Sequence, residues 1–322
     1  MYRLITVSLL FLQIIHWHLS LGNTDTFSDA IHTISSPTQV TEPELAYRKE
    51  NWALVDFAPV PKFSIDIHDP ASALSGVEPW DPYIWERILA LTRTDDGDEK
   101  GYFIDVGAKL GYTTLMTASL GYRVVSFEPM SRNAKKLARS VERNQGFSDR
   151  VKLYQNAVGA IHGQKVSLTE NQENGEVTNV SQPSNNNTSQ EVYGVDFVHE
   201  VTLSDVLLFL PHMPIDAHIV KVDVEGMEGS VLLGARDWIC SQTVKHILIE
   251  FSEATRTNKA APATEMFAFM QRAGYNVSDV NVHSNDTLID YDMLVMGNFT
   301  GLPQNLLFSL QHNSTQNTNH CY

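Results

Sequence analysis

From residue 100 onward, short apolar runs alternate with helical stripes, and that alternation constrains the fold more than any other feature of the sequence. Tyr102 to Val106 reads as a strand ending in a glycine-containing turn, Thr113 to Leu120 as a helix closed by Gly121, and Arg123 to Phe127 as a second buried strand. Ser131 is placed to cap a helix whose Ala134, Leu137, Ala138 and Val141 fall at i, i+3, i+4 and i+7, with Gly146 as its stop. Val151 to Ala157 reads as a third strand and Ala217 to Val224 as a later one, followed by a helix from Glu225 to about Trp238. A strand over Lys245 to Phe251, a helix over Thr264 to Ala273 and a last strand over Tyr291 to Met296 complete the pattern. Such alternation predicts a mostly parallel sheet with helices on both faces.

The flanking segments are of different character. Arg3 precedes an apolar run from Leu4 to Ile15, shorter than the roughly 20 residues of a membrane span, and Ser20-Leu21-Gly22 offers small residues for cleavage before Asn23. Residues 1–22 are therefore expected to be a signal peptide, with an uncleaved anchor as the alternative. Residues 23–50, rich in Ser, Thr, Asp and Pro, read as a flexible lead-in, and residues 51–99 as an N-terminal cover. Within that cover Asp81-Pro82 opens a helix with Trp85, Ile88, Leu89 and Thr92 inward. The main domain is expected over 100–300, interrupted by a polar surface insertion at 171–190. Val192 to Leu203 alternates after the insertion, placing Tyr193, Val195, Phe197, Val201 and Leu203 on one side. Residues 301–322 read as a fraying tail.

Composition excludes some functions. A formal charge of −15 with no compensating Lys/Arg run disfavours binding to a nucleic-acid backbone. Sequons at Asn179, Asn186, Asn187, Asn276, Asn285, Asn298 and Asn313 agree with a secretory route, in the lumen or outside the cell, with no membrane association beyond the leader. The two cysteines, Cys240 and Cys321, either pair or stay as two thiols. Histidines lack ligand spacing, so no metal is expected. The oligomeric state is not legible.

Three segments carry chemistry. The turn Asp105-Val106-Gly107-Ala108-Lys109-Leu110-Gly111 follows the first strand, and glycines there let backbone approach a ligand and let the next helix pack closely. Phe127-Glu128-Pro129 puts a carboxylate 21 residues beyond Gly107, the separation at which doubly wound folds bind ribose hydroxyls. Lys221-Val222-Asp223-Val224-Glu225-Gly226 ends a later strand, where open α/β sheets bind ligands. Asp223 there can orient a hydroxyl or act as base, and Glu225 can equally stabilise the start of a helix. The absence of Gly-x-Gly-x-x-Gly argues against a nicotinamide dehydrogenase.

Tyr102-Phe103-Ile104-Asp105-Val106-Gly107-Ala108, Val125-Ser126-Phe127-Glu128-Pro129, Asn156-Ala157-Val158-Gly159 and Ile219-Val220-Lys221-Val222-Asp223-Val224-Glu225-Gly226-Met227-Glu228 together resemble the FkbM family of methyltransferases. The resemblance implies a Rossmann-like class I methyltransferase fold with a mostly parallel seven-stranded sheet, S-adenosylmethionine as donor, and transfer to a hydroxyl of a small molecule or glycan. It implies cofactor binding by Asp105, Gly107, Ala108, Gly111, Glu128 (ribose) and Asn156 (near the adenine). Asp223 and Glu225 would line the reaction cleft as catalytic residues, with His218 and Lys221 as lesser candidates for the base. One departure stands out: the family usually has Asn after Asp-Val-Gly-Ala, whereas this chain has Lys109. The competing expectation is a secreted binding protein that keeps the fold without the activity.

Overall fold

The computed structural model describes residues 52–57, 59–67, 82–92, 101–170, 177–181, 195–209, 217–241, 243–280, 288–311 and 321. The predicted signal peptide, the lead-in and most of the 171–190 insertion lie outside them, as do the sequons at Asn186, Asn187, Asn285 and Asn313. In chain order the strands are β1 (Trp52–Val55), β2 (Phe63–Asp66), β3 (Tyr102–Val106), β4 (Arg123–Phe127), β5 (Val151–Tyr154), β6 (Ala157–Val158), β7 (Lys165–Glu170), β8 (Val177–Ser181), β9 (Val195–Val201), β10 (Ala217–Val222), β11 (Val244–Glu250), β12 (Tyr275–Asp279) and β13 (Asn305–Leu310). The helices are α1 (Pro82–Thr92), α2 (Tyr112–Ser119), α3 (Ser131–Arg143), α4 (Leu203–Phe209), α5 (Glu228–Gly234), α6 (Arg236–Cys240), α7 (Glu253–Thr257), α8 (Ala263–Arg272) and α9 (Tyr291–Val295).

Among the described residues the main sheet has seven strands in the order β12-β13-β11-β10-β3-β4-β5. The run β11-β10-β3-β4-β5 is parallel, and β13 lies antiparallel to both of its neighbours. Successive side chains on a strand point to opposite faces, so a strand covered on both sides is apolar at nearly every position. Tyr102, Ile104 and Val106 of β3 enter one core with Met266, Phe267 and Met270 of α8 and Val231 of α5. Phe103 enters the other with Leu115 and Met116 of α2, Leu137 and Val141 of α3, and Trp85 and Ile88 of α1. Helices thus cover both faces, in the Rossmann-like α/β arrangement predicted.

One row breaks the apolar rule. Lys221 of β10, Asp105 of β3 and Ser126 of β4 are in register side by side, flanked by Leu248 and Leu153. This polar row crosses the middle of the sheet near its carboxyl edge, with Thr114 of α2 above it.

Several sequence expectations need correction. Residues 305–310, assigned to a fraying tail, form β13 inside the sheet, with Leu306, Leu307 and Phe308 buried. Tyr291 to Met296, expected as the last strand, is instead the helix α9, capped by Asp290, which accepts from the Asp292 N–H. Residues 275–279, unassigned from sequence, form β12. The strand expected over Val151 to Ala157 stops at Tyr154, and Ala157–Val158 joins a different sheet. Ser131 does not cap α3: it is the first helical residue, and Met130 occupies the cap position. Of the two states left open for Cys240 and Cys321, the structure has the pair: they form a disulfide with their Cα atoms 5.9 Å apart.

Between β5 and β10 the chain builds a second sheet of order β6-β9-β7-β8. Its own core joins Met130, Ala157, Val166, Leu168 and Val198. The phase predicted for β9 is wrong at Phe197, which is 56% exposed beneath the Lys165 ammonium, while Val198 is buried. The strand turns Val198 inward because the Met130 loop and Leu168 supply its apolar partners.

Candidate active site at the carboxyl ends of the parallel strands

A cavity of about 360 Å³ opens where five parallel strands end. Gly107 follows β3, Glu128 follows β4, Asn156 follows β5, Asp223 to Glu225 follow β10, and Glu250 ends β11; all line it. The volume is in the range of small-molecule sites, and the position is the one that open α/β sheets use for ligands.

The turn after β3 is set by contacts that tolerate no Cβ. Gly107 has φ +81°, and a Cβ there would lie 1.8 Å from the carbonyl oxygen of Asp223, so β3 and β10 can converge only with glycine at this point. Its N–H and that of Ala108 donate to the Phe127 carbonyl (both 3.0 Å). Gly111, φ +93°, opens α2, and a Cβ would meet Leu137 Cδ1 at 2.1 Å. Lys109 also sits in the left-handed region, φ 52°. That conformation suits Asn and Gly better than Lys.

Glu128 is the hub of the central part of the cavity. It is 4% exposed, and its Oε2 accepts the Lys109 N–H at 2.7 Å. Its Oε1 accepts the Met130 N–H (3.0 Å) and Asn133 Nδ2 (3.3 Å). Burial pushes its carboxyl up to about 7, against the pull of these donors. A carboxylate offers about four acceptor positions, so three donors leave room for a ligand hydroxyl. Asn156 is fully buried, with Nδ2 donating to the His199 carbonyl of β9 (3.2 Å).

At the other end the charges are held by side chains. Lys221 Nζ lies 3.0 Å from Asp223 Oδ2 and 3.7 Å from Asp105 Oδ1. Burial pulls the ammonium down, but the two carboxylates outweigh it and hold its pKa above the usual lysine value. Asp105 is entirely buried; Thr114 donates to its Oδ2 (2.7 Å), and burial raises its pKa more than Lys221 lowers it. Glu250, half-buried, accepts from Gln304 Nε2 at 2.8 Å. Burial first, then the nearby Asp223 charge, lift its carboxyl to about 7.

The structure sorts the candidates. Gly107, Glu128, Asn156, Asp223 and Glu225 converge on the cavity; Asp105, Ala108 and Gly111 do not line it. Asp105 faces into the sheet and fixes Lys221, while Ala108 and Gly111 pack helix against strand, so their part is support. Glu225 is exposed in the turn at φ 54°, and the stabilising role weighed for it falls to Glu228. Fully buried Glu228 accepts the N–H groups of Val224 (2.9 Å) and Gly226 (3.3 Å) and the Thr255 hydroxyl (2.7 Å). His218 is buried against the Leu91 carbonyl (3.0 Å), away from the cavity. Glu250 and Glu200, also in the lining, were missed by the sequence reading. A strand followed by an acid at its carboxyl end was the signal available for Glu250.

Comparison with known proteins adds the following. Residues 105–277, more than half of the chain, match the family described as Methyltransferase FkbM domain. The human methyltransferase 10 domain containing protein is 12% identical, with 77% of this chain and 88% of that one aligned and a TM-score of 0.37. WbdD is 12% identical over 82% of this chain and 46% of its own, TM-score 0.36, so this chain spans about half its length. The glycopeptide N-methyltransferase MtfA, complexed with S-adenosyl-L-methionine, is 11% identical over 70% and 92%, TM-score 0.31. No curated protein matches the chain.

Proposed function

Because the chain belongs to the FkbM methyltransferase family, we propose that its cavity binds S-adenosylmethionine and directs the methyl group to a hydroxyl oxygen, with a sugar as the acceptor class. The observation that carries this is the pairing of Glu128, which has acceptor capacity left for a ribose, with an acidic far end that suits a cationic donor. Asp223, Glu225 and Glu250 line that end; Lys109 is the cation in the cavity lining, and Lys221 stands outside the lining, paired with Asp223. A site with that balance fits a sulfonium and an amino group.

When bound, the donor supplies a methyl carbon whose S–C bond breaks, the electron pair going to sulfur, as the acceptor oxygen forms the new C–O bond. Glu128 and Asn156 hold the nucleoside portion. Asp223 is committed to Lys221 and orients the acceptor hydroxyl through its remaining lone pairs. Glu250, one strand over from Asp223, takes the hydroxyl proton, and a carboxyl near 7 is matched to that task at neutral pH. Positioning supplies most of the remaining acceleration.

Transfer within the secretory pathway is supported by the Cys240–Cys321 disulfide, a bond that persists in oxidising compartments. It is supported too by the exposed sequon asparagine Asn298.

The test is to offer labelled donor to a panel of glycans, lipids and small alcohols. Label is expected on a sugar oxygen, and Glu250→Gln should lower kcat by roughly 100-fold or more while leaving donor affinity nearly unchanged. No transfer to any hydroxyl acceptor, with the donor bound, would favour the non-catalytic binding protein.

A further inference from the structure

The second sheet lies between β5 and β10 in the sequence and has a core of its own, yet two of its residues reach the cavity. Leu168 of β7 and Glu200 of β9 both line it. Glu200 is directly opposite Ala157 in the parallel pairing of β6 with β9. The adjoining His199 carbonyl accepts from Asn156. The small core reaches Met130, whose N–H holds Glu128. The sheet is therefore bound to the loops that form the central part of the site.

Glu200 is an unusual residue to find there. It is 7% exposed, and no cation stands against it in any described ion pair. Its Oε1 accepts the Ile161 N–H at 2.6 Å, and the Ala160 N–H, which donates to Ser230 Oγ at 3.1 Å, also lies toward the carboxylate. Gly159 leaves the space it occupies, since a Cβ there would sit 2.4 Å from Oε1. These N–H groups use at most half of a carboxylate's acceptor positions. A buried acid lining a ligand cavity with acceptor capacity left is suited to a ligand group that donates.

The strand order says which part of a ligand would meet it. From Asp223 after β10, the row of strand ends runs through Gly107 after β3 and Glu128 after β4 to Asn156 after β5, at about 4.8 Å per strand. Glu200 stands on the Asn156 side of Glu128, away from the acidic reacting end. A nucleoside whose ribose is held by Glu128 and whose reactive end lies toward Asp223 has its base on that side. Val158 and Leu168 supply apolar surface for the base faces.

We propose that the second sheet is the base-reading wall of the cavity and that Glu200 accepts a hydrogen bond from the 6-amino group of a purine. This rests on the donor-binding reading above and extends it to the sheet that the sequence did not assign. An amino group donates to a carboxylate, whereas a 6-oxo group presents a second acceptor and is repelled.

The experiment titrates the full chain at pH 8 with S-adenosylhomocysteine and with S-inosylhomocysteine, which differ in the 6-substituent. Wild type should prefer the adenosyl compound by roughly 10- to 100-fold, as expected for one hydrogen bond to a charged group. Glu200→Gln, whose amide can donate or accept, should reduce that preference to within about threefold, with thermal unfolding reporting that the chain remains folded. Equal binding of the two compounds by wild type overturns the base-reading role alone. A Glu200→Gln chain that keeps the full preference assigns it to another group and overturns the part given to Glu200. If wild type binds neither compound at millimolar concentration, the donor-binding reading fails, and this one with it.

Discussion

From the centre of the cavity toward β5 and β9, Glu128 and Glu200 are gripped largely by main-chain N–H groups; at the opposite end, Asp223 and Glu250 are held by the side chains of Lys221 and Gln304. Main-chain donors are fixed by the turns that carry them, so the first pair is rigid and presents its remaining lone pairs in set directions. The second pair lies among other carboxylates on side-chain supports, which suits groups that exchange protons and contact a changing partner. One residue type therefore serves recognition at one end and chemistry at the other, and the difference lies in what holds it.

The hardest test of this division is Gly107→Ala, which forces a Cβ against the Asp223 backbone at the point where the two ends meet. It should cost more than about 3 kcal/mol in urea unfolding. Gly146→Ala, at φ +79° with open space around it, should cost only about 1–2 kcal/mol. Equal losses would show that left-handed strain, not the crossing of β3 and β10, governs the turn.

Lys221→Met comes next. It leaves Asp105, with no exposure, without its cation and should cost about 3–5 kcal/mol. The Asp105→Asn, Lys221→Met pair should recover much of that loss, because the uncompensated charge is gone.

A smaller effect follows from pH. Glu128 and Glu250 have carboxyls raised to about 7, so in the unliganded chain their contribution to stability is present below the ordinary glutamate range and is lost as pH rises through 7. Donor binding has the opposite sign, because ribose hydroxyls and a sulfonium favour the ionised acids. Affinity should therefore rise about tenfold from pH 6 to pH 8 through Glu128 alone. A flat profile would remove the ionised acid from the account. The smallest change is Lys109→Asn, which should gain about 0.5–1 kcal/mol by easing the left-handed residue while keeping its N–H on Glu128.

Much of this was legible in the sequence because it is local. The turn at Gly107, the acid at Glu128, Asn156 and the segment ending at Asp223 each close a strand, and strand ends of a parallel sheet share one edge. What escaped depends on distant pairing. The apolar run Leu306-Leu307-Phe308 sits among Asn and Gln and gains meaning only between β11 and β12. The phase of β9, and with it the inward turn of Glu200, is set by Met130 and Leu168 rather than by its own alternation. Asp105 was expected at the donor from the family resemblance; the alternation of β3 turns its side chain toward Thr114 and Lys221.

The central claim is that Glu128 binds the ribose of S-adenosylmethionine, and the most direct measurement is calorimetric titration of that compound into the full chain at pH 8 alongside Glu128→Gln. The account predicts saturable binding to wild type and a loss of roughly 100-fold in the variant, as expected when hydrogen bonds to a charged acceptor are lost. Wild-type chain that takes up no S-adenosylmethionine at millimolar concentration, or a variant that binds it equally well, would contradict the account.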